Sequence, residues 1–300
     1  MRRDHDDIIL VRFEESLTLS ELSASTIVNY LADVRAFLRW GKGEIGDGFA
    51  LAHTTQEHIR RYRSYLTQEL KRAASTVNRH LMALRKFSAF ATQIGAMSTD
   101  PTIGVSLVQD DRQVASRVLT GEEIEKLLQA AENGSRAGLV RRDVAILQLL
   151  LHAGLRISET VDLEQDDVLF DNPGVRLRVG RTGQTEGNVR YLPLPNQAYK
   201  ALSDYLLVRP HCTISNHLFL GQDGRPISGR TVQRIVSNCA KSAGIAGVSA
   251  QSLRRTFAVQ LLANTKNLDL VSERLGHQNR AITEQYLAVH SNSSGLAGEN

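Results

Sequence analysis

The stretch Gln251-Ser252-Leu253-Arg254-Arg255-Thr256-Phe257-Ala258, continued by Leu275-Gly276-His277 and Gln285-Tyr286-Leu287, decides how the chain reads. It predicts two helices flanking a Gly-His turn. Phe257, Ala258 and Leu261 recur at helical spacing after Arg254, so Arg254 lies on or beside a face that packs inward. An arginine withdrawn from water needs an anion or an acid beside it. Ile282 and Val289 flank Tyr286 at i−4 and i+3, which sets the phenol at the edge of an apolar stripe. Singly, these are a core tyrosine, a satisfied arginine and a helix stop. Together with Arg156, further upstream, they call for a chemical explanation.

Arg156 emerges from the most apolar part of the chain. A helix from about Arg142 carries Val144, Ala145, Ile146, Leu147, Leu149, Leu150 and Leu151, apolar almost all round, so it belongs in a core. It ends at Gly154, and Leu155-Arg156-Ile157-Ser158-Glu159 follows. Glu159 is spaced to orient Arg156 by a charge-assisted hydrogen bond. Val175 to Val179 alternates like a strand, Gly180-Arg181-Thr182-Gly183 turns, and Arg190 to Leu194 returns, a small hairpin with a basic tip. Residues 196–207 and 231–241 are expected helices, and His217 to Leu220 a candidate short strand.

Residues 8 to about 105 read as all-helical. Ile27, Leu31, Val34 and Leu38 form one stripe, and Gly41, Gly43, Gly46 and Gly48 mark a loop. Thr54 with Glu57 predicts a capping-box start for a helix through Leu70, and Ser75 a cap for another ending near Gly95. These two helices and their exits carry Arg60, Arg61, Arg63, Lys71, Arg72, Arg79, Arg85 and Lys86, with only Glu57 and Glu69 in opposition. A solvated face is the plain explanation, but charge of one sign on adjacent helices favours contact with a phosphate backbone. The polar segment QDDRQVASR, 109–117, reads as a linker, and Thr120 with Glu123 as a second capping box. The expected division is a helical DNA-binding domain over 1–108, a catalytic domain over 118–290 and a flexible tail over 291–300.

With 300 residues, 42% of them hydrophobic, the chain can build two cores. Net charge is +4 and the pI about 9.2, so the distribution of charge matters more than the sum. Cys212 and Cys239 are isolated and no CxxC or HxxxH pattern occurs, which speaks against structural zinc and fits a reducing compartment. No apolar run approaches membrane-spanning length, and the N-terminus lacks the apolar segment of a secretory signal. A soluble, cytoplasmic protein is expected, with no membrane partner.

Two arginines, a histidine and a tyrosine are what a metal-free phosphodiester transesterase needs. Its pentacovalent transition state gathers negative charge, which planar guanidinium groups stabilise by bidentate hydrogen bonding. Arg156 and Arg254 fit that role. A tyrosine with pKa near ~10 needs help to ionise, and His277 can assist proton movement or bond the phosphate. Tyr286 as nucleophile keeps the bond energy in an ester, so no ATP is required. No GxxxxGK[ST] loop and no carboxylate cluster for two metals is present, so no metal and no cofactor is expected.

The stretches His152-Ala-Gly-Leu-Arg156-Ile-Ser-Glu159, Leu253-Arg254-Arg255-Thr-Phe-Ala258, Leu275-Gly-His277 and Tyr286, nine residues after His277, resemble the tyrosine recombinase (phage integrase) family, most closely its Xer-like bacterial members. The resemblance implies a mainly α fold with a small β-hairpin or sheet in the C-terminal domain. It implies a two-domain DNA clamp, made of a helical SAM-like core-binding domain and a catalytic domain. It further implies four protomers, alike or paired with a second recombinase, on inverted-repeat duplex sites at the nucleoid, exchanging strands through a Holliday junction. Two positions depart from the pattern. Arg181 stands where the family places a lysine as general acid, and an arginine is a poor proton donor because its pKa exceeds ~12. Gln251 stands where it prefers a histidine, and can hydrogen-bond a phosphate oxygen but cannot titrate. These departures keep open a catalytically weakened DNA-binding or architectural protein on the same fold, and a third reading is a type IB-like topoisomerase, which shares the tyrosine chemistry without pairing two sites.

Overall fold

A computed structural model describes residues 5–20, 22, 24–109, 117–134, 137–171, 174–180, 189–210, 215–277 and 279–288. Within its helices, the side chains of residues 25, 137, 138, 285, 286 and 288 are outside that description. The chain divides into two compact units, Met1–Gln113 and Val114–Asn300. The expected linker lies mostly outside the described residues, and the expected tail wholly so.

The first unit is helical: α1 (His5–Leu19), α2 (Ala24–Glu44), α3 (Gln56–Ser64) and α4 (Ala74–Gln93). Its core is rich in rings, with Phe37, Trp40 and Tyr62 at centroid distances of 5.1 to 5.7 Å. Three local expectations fail here. The glycines at 41 and 43 do not open a loop, because α2 runs through both to Glu44. Gly41 lies flat against the ring of Phe49, where any Cβ would collide. That packing offsets the roughly 1 kcal/mol that a glycine costs a helix. The cap of α3 is Thr55, not Thr54, reciprocated by the His58 backbone and ring. Ala73 precedes α4 without a side-chain cap, so Ser75 sits inside the first turn.

After α4 the chain returns across α3 and α4 as a strap. Gln56 bonds the Ile103 carbonyl, Arg85 Nη2 the Val105 carbonyl at 2.6 Å, and Arg63 Nη1 the Ser106 carbonyl at 2.9 Å. Asn78 donates to the Val108 carbonyl and accepts its N–H at 2.9 and 2.8 Å.

The second unit is built on α6 (Ala137–His152), whose Ala145, Ile146, Leu147, Leu149, Leu150 and Leu151 are all buried. Around it stand α5 (Gly121–Glu132), α7 (Ile157–Asp162), α8 (Asn196–Leu206), α9 (Gly229–Ser242) and α10 (Ala250–Thr265). The Thr120–Glu123 capping box opens α5. A three-stranded antiparallel sheet runs β1 (Val168–Asp171), β2 (Gly174–Val179), β3 (Arg190–Pro193). Leu177 pairs with Val168 and Leu192, so all three apolar side chains enter the core while Arg176 and Arg178 face away. The hairpin is therefore part of a larger sheet, because β1 was too short to read. His217 and Leu220 make only isolated bridges, to Glu164 and Pro226. The C-terminal stretch forms three helices rather than two. Between α10 and α12 (Arg280–Ala288) lies α11 (Leu268–Leu275), capped by the Asn267 side chain.

The fold is thus mainly α with a small antiparallel sheet in the second unit. No described helix is long and apolar enough to cross a membrane.

Candidate functional site

The second unit holds a cavity of about 420 Å³ lined by Arg156, Glu159, Gly180, Arg190, Gly276, His277 and Ile282. Its floor is an arginine–carboxylate cluster centred on Glu159. Just past the end of α6 stands Gly154, whose φ of +60° suits a residue without a Cβ, and whose hydrogen-only side faces the Phe257 ring. Two residues later Arg156 stands at the N-cap of α7, and Glu159 reaches back to accept its backbone N–H at 2.7 Å. The same carboxylate accepts Arg156 Nη1 at 2.7 Å and both terminal nitrogens of Arg190 at 2.9 Å. Arg254 Nη1 lies 3.7 Å from it.

Arg254 is buried, as its position on α10 predicts. Its Nη1 donates to the Gly154 carbonyl and its Nη2 to the Leu275 carbonyl, each at 2.6 Å, which ties the end of α6 to the end of α11. Nη2 also lies 3.3 Å from His277 Nε2. A guanidinium only donates, so Nε2 accepts and the imidazole proton sits on Nδ1. Nδ1 in turn lies 2.9 Å from the hydroxyl of Thr283, a fully buried residue of α12. Gly276, at φ +62°, closes α11 in the left-handed region and offers its carbonyl to Arg156 Nη2 at 2.9 Å.

Burial alone would raise the Glu159 pKa. The hydrogen bonds and charge of Arg190, then those of Arg156, outweigh it and hold the carboxyl at about 2. His277 moves down to about 4, through burial and then the charges of Arg254, Arg156 and Arg190. At neutral pH the cluster therefore carries three guanidinium charges against one carboxylate, with a neutral histidine.

Of the sequence-derived candidates, Arg156, Arg254 and His277 come together. Tyr286 lies on α12, three residues after Thr283, with its side chain outside the described residues. Arg181 is also outside them. Gln251 is exposed, one turn before Arg254 on α10, and does not line the cavity. Ile282 is half exposed at the cavity wall, so the apolar stripe expected around Tyr286 is open on that side.

With this geometry in view, the comparisons with known proteins carry the decision. Residues 117–293 match the phage integrase family, and residues 10–95 match the phage integrase N-terminal SAM-like domain. The chain belongs to the phage integrase family. Among tyrosine recombinases, it is 30% identical over 279 residues to XerC of Roseiflexus castenholzii, covering 91% of this chain and 86% of that protein. It is 32% identical over 276 residues to XerD of Listeria monocytogenes serotype 4b, covering 89% of each. A lambda integrase dimer bound to a COC′ core site shares the fold, with TM-score 0.73, 19% identity and 98% of each chain covered. So does XerH bound to palindromic difH substrate, with TM-score 0.69, 19% identity, and 89% and 77% of the two chains covered.

In the SAM-like unit of this phage integrase relative, the eight basic residues divide. Arg63 and Arg85 bond the strap, and Arg79 pairs with the buried Asp33 at 2.7 Å. Arg60, Arg61, Lys71, Arg72 and Lys86 are exposed, and their side chains form no hydrogen bond or ion pair among the described residues.

Two features escaped sequence reasoning. Arg190 shares a strand face with the buried Leu192, and an arginine on the inward side of a strand signals an acid opposite. Arg230, Arg234 and Lys241 recur along one exposed side of α9, a helix without acidic residues, and this one-sign spacing was readable.

Proposed function

We propose that this phage integrase family member is a site-specific DNA recombinase that breaks and rejoins strands through a tyrosyl 3′-phosphate ester. The observation that carries the reading is the arginine cluster on Glu159, with its surplus of two positive charges, beside a cavity bordered by the helix that bears Tyr286. A phosphodiester brings one negative charge and an attacking phenolate a second, so the surplus matches the transition state. Bonds from guanidinium groups to the equatorial oxygens strengthen as that charge develops.

In this mechanism the Tyr286 oxygen attacks phosphorus and gives up its proton, for which His277 is assigned as the acceptor. The bond from phosphorus to the 5′-oxygen breaks, and that oxygen takes up a proton from solvent to leave as a hydroxyl. Arg156 and Arg254 hold the phosphate oxygens, and Arg181 and Gln251 are assigned to further phosphate contacts. Attack by a 5′-hydroxyl of another strand reverses the step and frees the tyrosine. No metal or nucleotide enters the balance.

The substrate is duplex DNA with an inverted-repeat site, engaged by the exposed cations of residues 1–108 and by the α9 stripe of the catalytic domain, 118–290. Pairing of two sites by four protomers through a Holliday junction fits the fold. One structural neighbour is a lambda integrase tetramer bound to such a junction, with TM-score 0.72 and 19% identity. Such a substrate puts the protein at the nucleoid.

The test is a nicked duplex carrying the site that the full chain selects from a random-sequence pool. The wild-type chain is expected to become covalently joined to DNA, and Tyr286→Phe to bind without forming the adduct. Tight binding without an adduct from the wild type overturns the reading in favour of a DNA-binding protein. Relaxation of site-free supercoiled plasmid favours a topoisomerase.

A further inference from the structure

We infer that Arg190 is a positioning residue, which keeps Glu159 occupied when Arg156 exchanges that carboxylate for the scissile phosphate. The inference rests on the recombinase reading and assigns a task to a side chain outside the expected catalytic set.

The three arginines around Glu159 are held unequally. The Arg190 side chain is 11% exposed and that of Arg254 8%, whereas that of Arg156 is 42% exposed. Arg190 has all three guanidinium nitrogens engaged, Nη1 and Nη2 on Glu159 and Nε on the Arg274 carbonyl at 2.9 Å. This fork-to-fork pairing fixes both partners in one plane. Arg156 holds Glu159 by a single guanidinium nitrogen and the Gly276 carbonyl by another. It lines an open cavity and has the freedom to turn toward an incoming anion.

Turning away has a cost that depends on Arg190. A carboxylate enclosed by protein and stripped of its partners is strongly disfavoured. With Arg190 in place, Glu159 keeps two charge-assisted hydrogen bonds and the Arg156 backbone N–H after the Arg156 guanidinium has left. Without Arg190, Glu159 depends on Arg156 for its principal counter-charge and draws it back from the phosphate. The charge surplus would also drop from two to one, short of what the transition state brings.

The Gly276 turn fits the same task. A Cβ there would lie 2.8 Å from Arg190 Nη1, so a residue with no side chain is needed for Arg190 to reach Glu159. Arg190 thus packs beneath the turn whose carbonyl holds Arg156 and whose next residue is His277.

The experiment measures single-turnover adduct formation on the selected nicked duplex, with DNA affinity and unfolding measured in parallel. Arg190→Gln is expected to slow adduct formation about 100-fold, with affinity for the duplex within about threefold of wild type. Arg190→Lys, which keeps charge but loses the fork, is expected to fall between them. The double variant Glu159→Gln/Arg190→Gln removes the carboxylate that recaptures Arg156 and restores the surplus to two. It is expected to be at least tenfold faster than Arg190→Gln alone. A purely structural role predicts the reverse, since two disruptions of one core site do not restore rate. The inference is overturned if Arg190→Gln reacts at the wild-type rate, or if the double variant is no faster than the single. If the folded wild-type chain forms no adduct, the recombinase reading fails and this inference with it. An active wild type beside an equally active Arg190→Gln sinks this inference alone.

Discussion

Each unit of the molecule holds a carboxylate largely withdrawn from water beside an arginine and a histidine, and the two clusters behave in opposite ways. In the SAM-like unit, Asp33 is 3% exposed and faces Arg79 at 2.7 Å and His80 at 3.4 Å, with the Tyr62 hydroxyl 3.3 Å from His80. Burial outweighs Arg79 there and raises the Asp33 pKa. In the second unit, two arginines with favourable geometry outweigh burial and hold Glu159 at about 2. The first cluster has a single guanidinium against its carboxylate. The second has three arginines, two left-handed glycines that let the chain close around them, and an open wall. An acid, an arginine and a histidine make a structural knot when their charges cancel and a candidate reaction site when the cations exceed the acid beside a cavity.

The contrast can be broken most sharply at Arg254. Arg254→Ala takes one charge from the surplus and strands the Gly154 and Leu275 carbonyls. Adduct formation on the nicked duplex is expected to drop about 1,000-fold. A single-turnover rate within tenfold of wild type would show that the cluster is no more chemical than the Asp33 knot.

The carboxylates themselves give a smaller effect of opposite sign. Glu159 titrates near 2 when folded and at 4.5 in the reference state, so its ionised form stabilises the fold above that range by about 3 kcal/mol. Glu159→Gln should lower the unfolding free energy at neutral pH by about that amount. Asp33 is shifted the other way, so its charge weakens the fold at neutral pH, and Asp33→Asn should leave stability unchanged or higher. Denaturant titrations of both variants check the signs, and equal losses would contradict them.

The remaining test is in the pH profile, where the two clusters should agree. His277 and His80 both sit at about 4 against an ordinary 6.5. Unfolded chain therefore binds more protons than folded chain between these values. Stability is full above 6.5 and falls as pH drops toward 4, and either His277→Gln or His80→Gln should flatten that decline. Thermal unfolding from pH 4 to 7 measures it. Only the His277 variant should also change adduct formation.

The sequence made legible whatever rests on one element. Arg156 announced itself by leaving an all-apolar helix, and Arg254 by sharing a face with Ala258. What escaped depends on partners far along the chain. Arg190 meets Glu159 across 31 residues only because the sheet register brings it there. The helix α11 buries just Val271 and Leu275, too short a stripe to separate from a loop. Arg63 and Arg85 look in sequence like Arg60 and Arg61, and only the returning strap distinguishes them. The glycine at 41 misled for the same reason, since the ring it packs against, Phe49, lies beyond the end of the helix.

The strap also sets how this protein should respond to ions. On the DNA-binding reading, eight cations on the N-terminal helices would displace about seven condensed counterions from duplex DNA, at ~0.9 per phosphate neutralised. With Arg63 and Arg85 spent on carbonyls and Arg79 on Asp33, five remain, and the displacement falls to roughly 4.5. Grip through that surface is thereby less sensitive to ionic strength than its composition implies.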